Sequence, residues 1–501
     1  MPFVIGVDIG TQSTKALLVE TTGRIVASHA QSYAPDTPRP LWAEQDARVW
    51  LDAVAACIAA CVGKAGVAAG EIAALCVSSL YGGSGIPVDD AMQPLHPCLI
   101  WMDRRAEAQV GLARRTMDVE RLYDITGNGI DSYYGFTKML WLRDERPDVW
   151  RRTRHLVPPN AWVIHALTGA LAVDHSSAGN IGGVYDMAAR AWSGEMLAAL
   201  GIPAEMMPET LVESSAVVGG LLPDWARRLG LLAGTPVVAG GVDAAVATFA
   251  AGVARPGQHV AMIGTSMCWG TLAPRSDARH GLVAMPYVVN GMRDLYVFGG
   301  AITAGASVSW FQEQFCRGDG APVSLRTLDD QAAALPAGAD GVQFLPYLMG
   351  ERSPVWDSAA TGAFVGLSLF HKRAHLYRAV LEGVACALRH NIEAGRGAVE
   401  ALAEQLIVVG GAAHSDLWMQ VIADVTGYPV RTIAQEVEAP LGAALLAALG
   451  VGLVTADEAE AGWVTLADRA SPKAEAQATY DAAFARYRRL YPALKAALSS
   501  G

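Results

Sequence analysis

Two strand–turn–strand units with the same tip constrain this chain more than any other feature. Val4–Ile9 and Thr14–Glu20 are apolar, branched runs joined by Gly10-Thr11-Gln12-Ser13, and Thr22-Gly23 turns the chain into a third run, Arg24–Ser28. A second hairpin, over Gln258–Gly270, carries Gly264-Thr265-Ser266 at its tip. The two tips lie half a chain apart in 501 residues. Self-similarity at that distance predicts a duplication, two similar halves that meet near residues 245–255. The division is drawn as 1–248 and 249–501.

The segments between the hairpins alternate as an α/β chain does. A helix is expected over Asp46–Val62, ended by Gly63, then a strand over Ala73–Ser78. Val237–Gly240 reads as a strand and Ala244–Gly252 as a helix. Leu406–Val409 is a strand, with helices at Asp416–Thr426 and Leu441–Leu449. Lys473–Leu498 reads as a final helix, interrupted, if anywhere, at Pro492, with Tyr480, Phe484, Tyr487, Leu490 and Tyr491 on one side.

Composition excludes several classes. Apolar residues make up 52% and charged residues 17%, the reverse of a disordered chain. A formal charge of −11 argues against a nucleic-acid partner. It leaves a phosphate ligand open, because backbone N–H groups bind phosphate without net positive charge. Seven cysteines, none in a CxxC pair, suit reduced thiols. No basic-then-apolar leader opens the chain, and the longest apolar run, around Ala439–Val454, is short and broken by glycine, so no membrane span is expected. These features predict a cytoplasmic protein.

The glycine turns carry the chemistry. Gly10 lets the backbone come close to a bound group, the following N–H groups can face a phosphate oxygen, and Thr11 and Ser13 add hydroxyls. Asp8 is placed to hold Mg²⁺ through water, and Lys15 follows the turn. An ordinary hairpin with a surface lysine is the alternative. The second tip, Gly264-Thr265-Ser266, favours a grip on a triphosphate from both sides. No G-x-x-x-x-G-K-[ST] occurs, and no G-x-G-x-x-G follows a strand and opens a helix, so P-loop and dinucleotide folds are excluded. Asp243, in Gly240-Gly241-Val242-Asp243-Ala244-Ala245, reads either as a helix N-cap or as a general base in a space cleared by small residues. Gly410-Gly411-Ala412-Ala413-His414-Ser415 follows a strand and opens a helix, either a plain turn or a place for a flat adenine ring.

Together these residues resemble the FGGY carbohydrate kinases, a branch of the actin, Hsp70 and hexokinase ATPase superfamily. Asp8–Lys15 resembles the family's first phosphate motif, Gly264-Thr265-Ser266 its second, and Gly410–Trp418 its adenosine motif. Leu41–Asp46 and Trp50 resemble a segment common in xylulokinases. Lys138–Glu145 is similar to the first family signature, with Gly135 where the family usually has Pro, Ser or Thr. The second signature is matched throughout: Gly362-x-Phe364-x-Gly366-Leu367, His375-Leu376 and Ala379-Val380-Leu381-Glu382. Asp243 falls where the family keeps its catalytic aspartate.

The resemblance implies two duplicated actin-like (ribonuclease H-like) ATPase domains around a central cleft. It implies transfer of the ATP γ-phosphoryl to a hydroxyl of a ketose or polyol, with Asp8 and Asp243 at Mg²⁺. Nucleotide binding falls to Gly10, Thr11, Gln12, Ser13, Lys15, Gly264, Thr265, Ser266, Gly410, Gly411, Ala412 and Ser415. The sugar side is assigned to Tyr81, Gly82, Asp103 and Arg104 with Asp243; a salt-bridge pair at a helix start is the other reading of Asp103 and Arg104. Ser78–Gly85 stands where xylulokinases usually carry Gln-Met-His-Gly, so the family's sugar-contacting His is absent. The overall pattern is closest to the xylulokinase-like group, and ribulose, deoxyketoses, gluconate, glycerol and tetritols are the other family substrates. A non-kinase actin- or Hsp70-like ATPase and a silent sugar-binding regulator are the rival readings, and a homodimer is the default assembly.

Overall fold

Each hairpin stands at the centre of its own sheet. The computed structural model describes residues 2–317, 322–433, 439–455, 457–458 and 463–498. In the first sheet Phe3–Ile9 pairs antiparallel with Ser13–Glu20, which pairs antiparallel with Ile25–Ser32. On its other side Phe3–Ile9 runs parallel to Ile72–Ser79, then come parallel Pro236–Val238 and the antiparallel edge Val217–Gly220. The second sheet repeats this pattern. His259–Ile263 pairs antiparallel with Met267–Ala273, then Leu295–Gly299, and on the other side parallel with Leu406–Val409, then Val430–Ile433, with Leu466–Ala470 antiparallel at the edge. It adds one strand, Val283–Pro286, at the opposite edge. The duplication predicted from the two tips is therefore a duplication of strand order and direction.

The central strands are apolar on both faces because both faces are covered. Val4, Ile5, Val7 and Ile9 are all fully buried. Local signals misplaced some ends. The first long helix spans Ala47–Ala65, running through Gly63 to stop at Gly66, which takes the left-handed conformation (φ 63°) of a C-cap. The last helix, Ala474–Leu498, continues through Pro492. Its neighbours hold it: the Tyr491 hydroxyl and the Lys495 ammonium both donate to Asp357, each at 2.5 Å.

Two helices lock the halves together. Ala439–Gly450 comes late in the sequence but lies against Phe3–Ile9 and Ile72–Ser79 of the first sheet. A Cβ on Gly6 would stand 1.9 Å from the Pro440 carbonyl oxygen, so strand and helix backbones touch. Asp243–Ala250 reaches the other way, its Thr248 hydroxyl donating to Tyr296 of the second sheet at 2.9 Å. The two helices cross where a Cβ on Gly442 would lie 2.1 Å from the Val246 carbonyl oxygen. Ala439–Gly450 is apolar all round, as a helix buried on every side must be. Among the described residues no helix is long and apolar enough to cross a membrane. All seven cysteines are free.

The second sheet also sets an acid limit. His259 is 1% exposed, accepts a hydrogen bond from the Trp269 indole at 3.2 Å and faces the Ala403 carbonyl at 3.2 Å. Burial pushes its imidazole down, to about 4. A folded value below the unfolded one gives stability that is full above about pH 6.5 and lost as pH falls towards 4. At pH 5 the loss from this group is about 2 kcal/mol. Denaturant titrations at pH 7 and pH 5 are expected to show that loss in the native protein and a smaller one in His259→Gln, which keeps one donor and one acceptor. Equal pH sensitivity in the two proteins would contradict it.

Candidate active site

Two carboxylates face each other where the halves meet. Asp8 is the next-to-last residue of the first central strand, and its Oδ1 accepts a 2.8 Å bond from Ser78 on the parallel neighbour. Lys15 lies directly opposite Asp8 across the hairpin, on the same face. Asp243 is the first residue of its helix; the N-cap position belongs to Val242. Among the described residues its Oδ1 accepts one N–H, that of Ala244, at 2.6 Å. Asp243 is half-buried. Burial and the Asp8 charge push its carboxyl up, to about 8, against the pull of the Ala244 N–H and of Arg352.

The sequence around Asp243 is what a turn at that place requires. Gly240 has φ 68°, and a Cβ there would meet the Val77 carbonyl oxygen at 2.1 Å. A Cβ on Gly241 would stand 2.7 Å from Ser176 Oγ and 2.8 Å from Val288. Ser176 Oγ accepts the Val242 N–H at 3.0 Å and donates to Asp174, which also takes the Asn160 amide at 2.9 Å. A buried polar chain, Asn160–Asp174–Ser176, therefore fixes the residue before Asp243.

Both glycine tips are closed by a backbone hydrogen bond. Gly10 N–H closes the first by donating to the Ser13 carbonyl, and Gly264 N–H closes the second by donating to the Ser266 carbonyl, each at 2.9 Å. Gln12, Gly264, Thr265 and Ser266 are exposed; Thr11 and Ser13 are half-buried. Thr11 Oγ1 accepts the Trp101 indole N–H at 3.0 Å. The second tip abuts the start of the helix Gly305–Phe315, where a Cβ on Gly305 would be 2.5 Å from the Gly264 carbonyl oxygen.

The third turn lies on a cavity of about 1040 Å³ in the second half. Gly411, Ser415, Asp329, Tyr377, Leu325 and Val308 are among its walls. Gly410 has φ 93°, and a Cβ there would be 2.6 Å from the Ile263 carbonyl oxygen. Ala412 is buried behind the turn. Ser415 caps the helix Asp416–Thr426, accepting the Trp418 N–H at 3.0 Å, and donates to Asp329 at 2.7 Å. The second signature forms the wall behind it: Arg378 and Tyr480 converge on the buried Glu382 carboxylate, each at 2.8 Å.

The four residues assigned to the sugar side are placed differently from one another. The Tyr81 hydroxyl accepts the Gly135 N–H at 2.5 Å, and its ring lies 5.1 Å from that of Tyr133. Gly82 packs on Pro159, leaving no room for a Cβ. Asp103 is fully buried and bonds to Ala43 N–H at 2.6 Å and to the Arg105 side chain at 2.8 Å. Arg104 pairs with Asp131 at 2.5 Å, and Asp131 in turn accepts the Tyr133 N–H at 2.7 Å. Arg104 thus braces the loop that carries Tyr133. Lys138, from the first signature, does the same from beneath: it is fully buried and donates to the carbonyls of Ser132 and Tyr133 at 2.5 and 2.7 Å. Burial pulls its ammonium down, to about 7.

Four further residues join the site that the local sequence signals did not single out. Tyr133 is buried near Asp243 and Arg352, and burial drives its phenol well above the usual range. Asn180 stands beside the Tyr133 hydroxyl, fully buried, with neither amide atom in a completed hydrogen bond. Trp356, held at φ 50° from the second half, stacks on Tyr134 with ring centres 6.1 Å apart. Arg352 comes from the same loop. A doubled tyrosine just before Lys138 and a charged pair, Glu351-Arg352, ahead of the second signature are the only local marks they leave. Among the described residues no three His, Cys, Asp or Glu side chains are grouped to hold a metal ion.

The comparisons with known proteins agree along the whole chain. The pattern of the FGGY family of carbohydrate kinases, N-terminal domain, matches residues 3–250, and that of the family's C-terminal domain matches residues 259–451. The xylulose kinase of Bacillus subtilis is 30% identical over 98% of this chain and 97% of its own. The crystal structure of a ligand-bound xylulose kinase from Lactobacillus acidophilus superposes with a TM-score of 0.92 at 26% identity, covering 99% of each chain. A gluconate kinase from the same organism superposes with a TM-score of 0.91 at 25% identity, covering 98% of each.

The support under Asp243 can be tested without any ligand. Ser176→Ala leaves the buried Val242 N–H without an acceptor and is expected to lower the unfolding free energy by about 1–3 kcal/mol. A denaturant midpoint unchanged from the native protein would show that the turn is held by something else.

Proposed function

The chain belongs to the FGGY family of carbohydrate kinases, and from that premise we propose that it moves the γ-phosphoryl of ATP onto a ketose of the xylulose kind, with Asp243 as general base. The observation that carries this reading is the position of Asp243: half-buried at the start of its helix, within reach of the Asp8 charge, with a carboxylate that among the described residues bonds its own helix start alone. A base must hold its proton loosely near neutral pH and lie open to an incoming hydroxyl. Phosphoryl transfer asks little more of the protein than alignment and charge compensation.

In this reading the N–H groups and hydroxyls of Gly10–Ser13 and Gly264–Ser266 bind phosphate oxygens, and Lys15 adds charge beside Asp8. The base and ribose of the nucleotide lie along Gly410–Ser415 in the cavity of the second half, where Gly411 leaves open space for a flat ring. Asp8 and Asp243, two half-buried carboxylates whose charges act on one another, fit a Mg²⁺ ion, which favours one or two carboxylates together with phosphate oxygens. Asp8 and Asp243 would hold it, and when bound it offsets charge on the β and γ phosphates. Asp243 orients the acceptor hydroxyl and takes its proton. Closure of the halves excludes water, which would otherwise hydrolyse ATP.

Tyr81, Gly82, Tyr133 and Asn180 form the acceptor side. Asn180, fully buried beside the Tyr133 hydroxyl, brings two amide donors and a carbonyl acceptor, a set that hydroxyl or carbonyl oxygens of a sugar satisfy. The overall likeness to xylulose kinases favours a ketopentose. Gluconate is the second reading, favoured by the gluconate kinase superposition and by the absence of the sugar-side His at Ser78–Gly85. The cytoplasm, where ATP is supplied, is the proposed location, and a homodimer is the proposed assembly on family resemblance alone.

Coupled ADP release over ketopentoses, deoxyketoses, gluconate, glycerol and tetritols tests the reading. Sugar-dependent ADP release with D-xylulose or a related ketopentose giving the highest kcat/KM is expected; a preference for gluconate would hand the assignment to the second reading. Asp243→Asn is expected to lower phosphorylation at least ~10²-fold while nucleotide binding survives. Near-normal turnover in that variant would remove Asp243 from the role.

A further inference from the structure

Arg352 stands at the meeting point of the three parts of the site. It sits on a loop of the second half, after the strand Gln343–Leu345. The buried Glu351 carboxylate roots it by accepting the N–H groups of Arg352 itself, at 2.7 Å, and of Ile302, at 3.1 Å. The guanidinium lies 5.6 Å from the centre of the Trp101 ring, and that indole N–H is bonded to Thr11 of the first tip. On another side, a Cβ on Gly300 would lie 3.0 Å from Arg352 Nη2 and 2.0 Å from the carbonyl oxygen of Met267, the residue after Ser266. On a third side its charge reaches Asp243 and Tyr133. One side chain therefore neighbours both glycine tips and the proposed base.

The same guanidinium lacks a full set of partners. Its Nε is buried with no hydrogen bond, and it takes part in no ion pair among the described residues. An arginine stays charged and carries five donors in a planar fork suited to phosphate oxygens. Keeping a half-buried guanidinium short of hydrogen-bond acceptors is costly unless a ligand supplies them. The Nε that lacks a partner thus belongs to a side chain whose charge acts on Asp243, the proposed base.

We propose that Arg352 is a catalytic residue that binds the equatorial oxygens of the phosphoryl group in transfer, supplied to the first half's acceptor site by the second half. The inference rests on the kinase reading of Asp243. The acceptor oxygen forms a bond to the γ-phosphorus as its proton passes to Asp243. The bond from that phosphorus to the β–γ bridging oxygen breaks, and its electron pair leaves on ADP. Arg352 makes and breaks no covalent bond; it compensates charge that is greatest in mid-transfer, so its removal should reduce kcat far more than nucleotide affinity.

The test compares native protein, Arg352→Ala, Arg352→Lys and Asp243→Asn, with kcat and both KM values from coupled ADP release and nucleotide affinity from calorimetry. Arg352→Ala is expected to lose at least ~10² in kcat, with nucleotide affinity within about threefold of native and part of the rate restored by guanidinium ion in solution. Arg352→Lys keeps the charge and guards against a folding defect; it is expected to fall between native and Ala. Retention of kcat in both Arg352 variants, or a loss confined to the sugar KM, would overturn the inference. Should Asp243→Asn lose activity while the Arg352 variants keep it, the functional reading stands and only this inference fails.

Discussion

The crossing of two helices at Gly442 and Val246 governs the geometry of the rest. A backbone, and nothing bulkier, fits between Gly6 and Pro440 and between Gly442 and Val246, so the first central strand and the helix that begins at Asp243 both pack closely on Ala439–Gly450. Asp8 lies one residue before the end of that strand, and Asp243 opens that helix. The small residues along Ala439–Gly450 are thus a steric condition for the chemistry as much as a contribution to the apolar core, in which Ala443, Ala444, Ala447 and Ala448 are fully buried.

Duplication then does the remaining work. Each half presents a glycine tip at the same place in its sheet. The site is nevertheless unequal. The first half brings Asp8, Asp243 and the tyrosine loop, while the second brings the large cavity at Gly411 and a loop that sends Arg352 and Trp356 back across the cleft. The two half-buried carboxylates are energetically unfavourable neighbours, and the Arg352 charge acts on Asp243 against that repulsion.

Much of this was legible in the sequence because it is local. Strand periodicity, the tips at Gly10 and Gly264 and the glycine pair before Asp243 each express a requirement of a few adjacent residues. Helix ends were less legible: Gly63 looked like a stop, yet the left-handed cap falls three residues later, at Gly66, where the chain actually turns. Pro492 looked like a break, yet tertiary bonds to Asp357 on either side of it carry the helix through. The acceptor side was least legible. Tyr133 and Arg352 come from two distant loops and Asn180 from the end of the helix His175–Asn180, and no spacing rule links them. Asp103 shows the converse, an acidic residue in a suggestive motif whose carboxylate is enclosed by Ala43 and Arg105.

The central claim is that both halves hold one nucleotide tail while Asp243 receives the acceptor hydroxyl between them. A crystal structure with a non-hydrolysable ATP analogue and the preferred sugar tests this most directly. The account predicts phosphate oxygens bonded to both glycine tips and a sugar hydroxyl about 2.6–3.2 Å from the Asp243 carboxylate. Phosphates held by one tip alone, or a sugar whose hydroxyls all lie out of reach of Asp243, would contradict it.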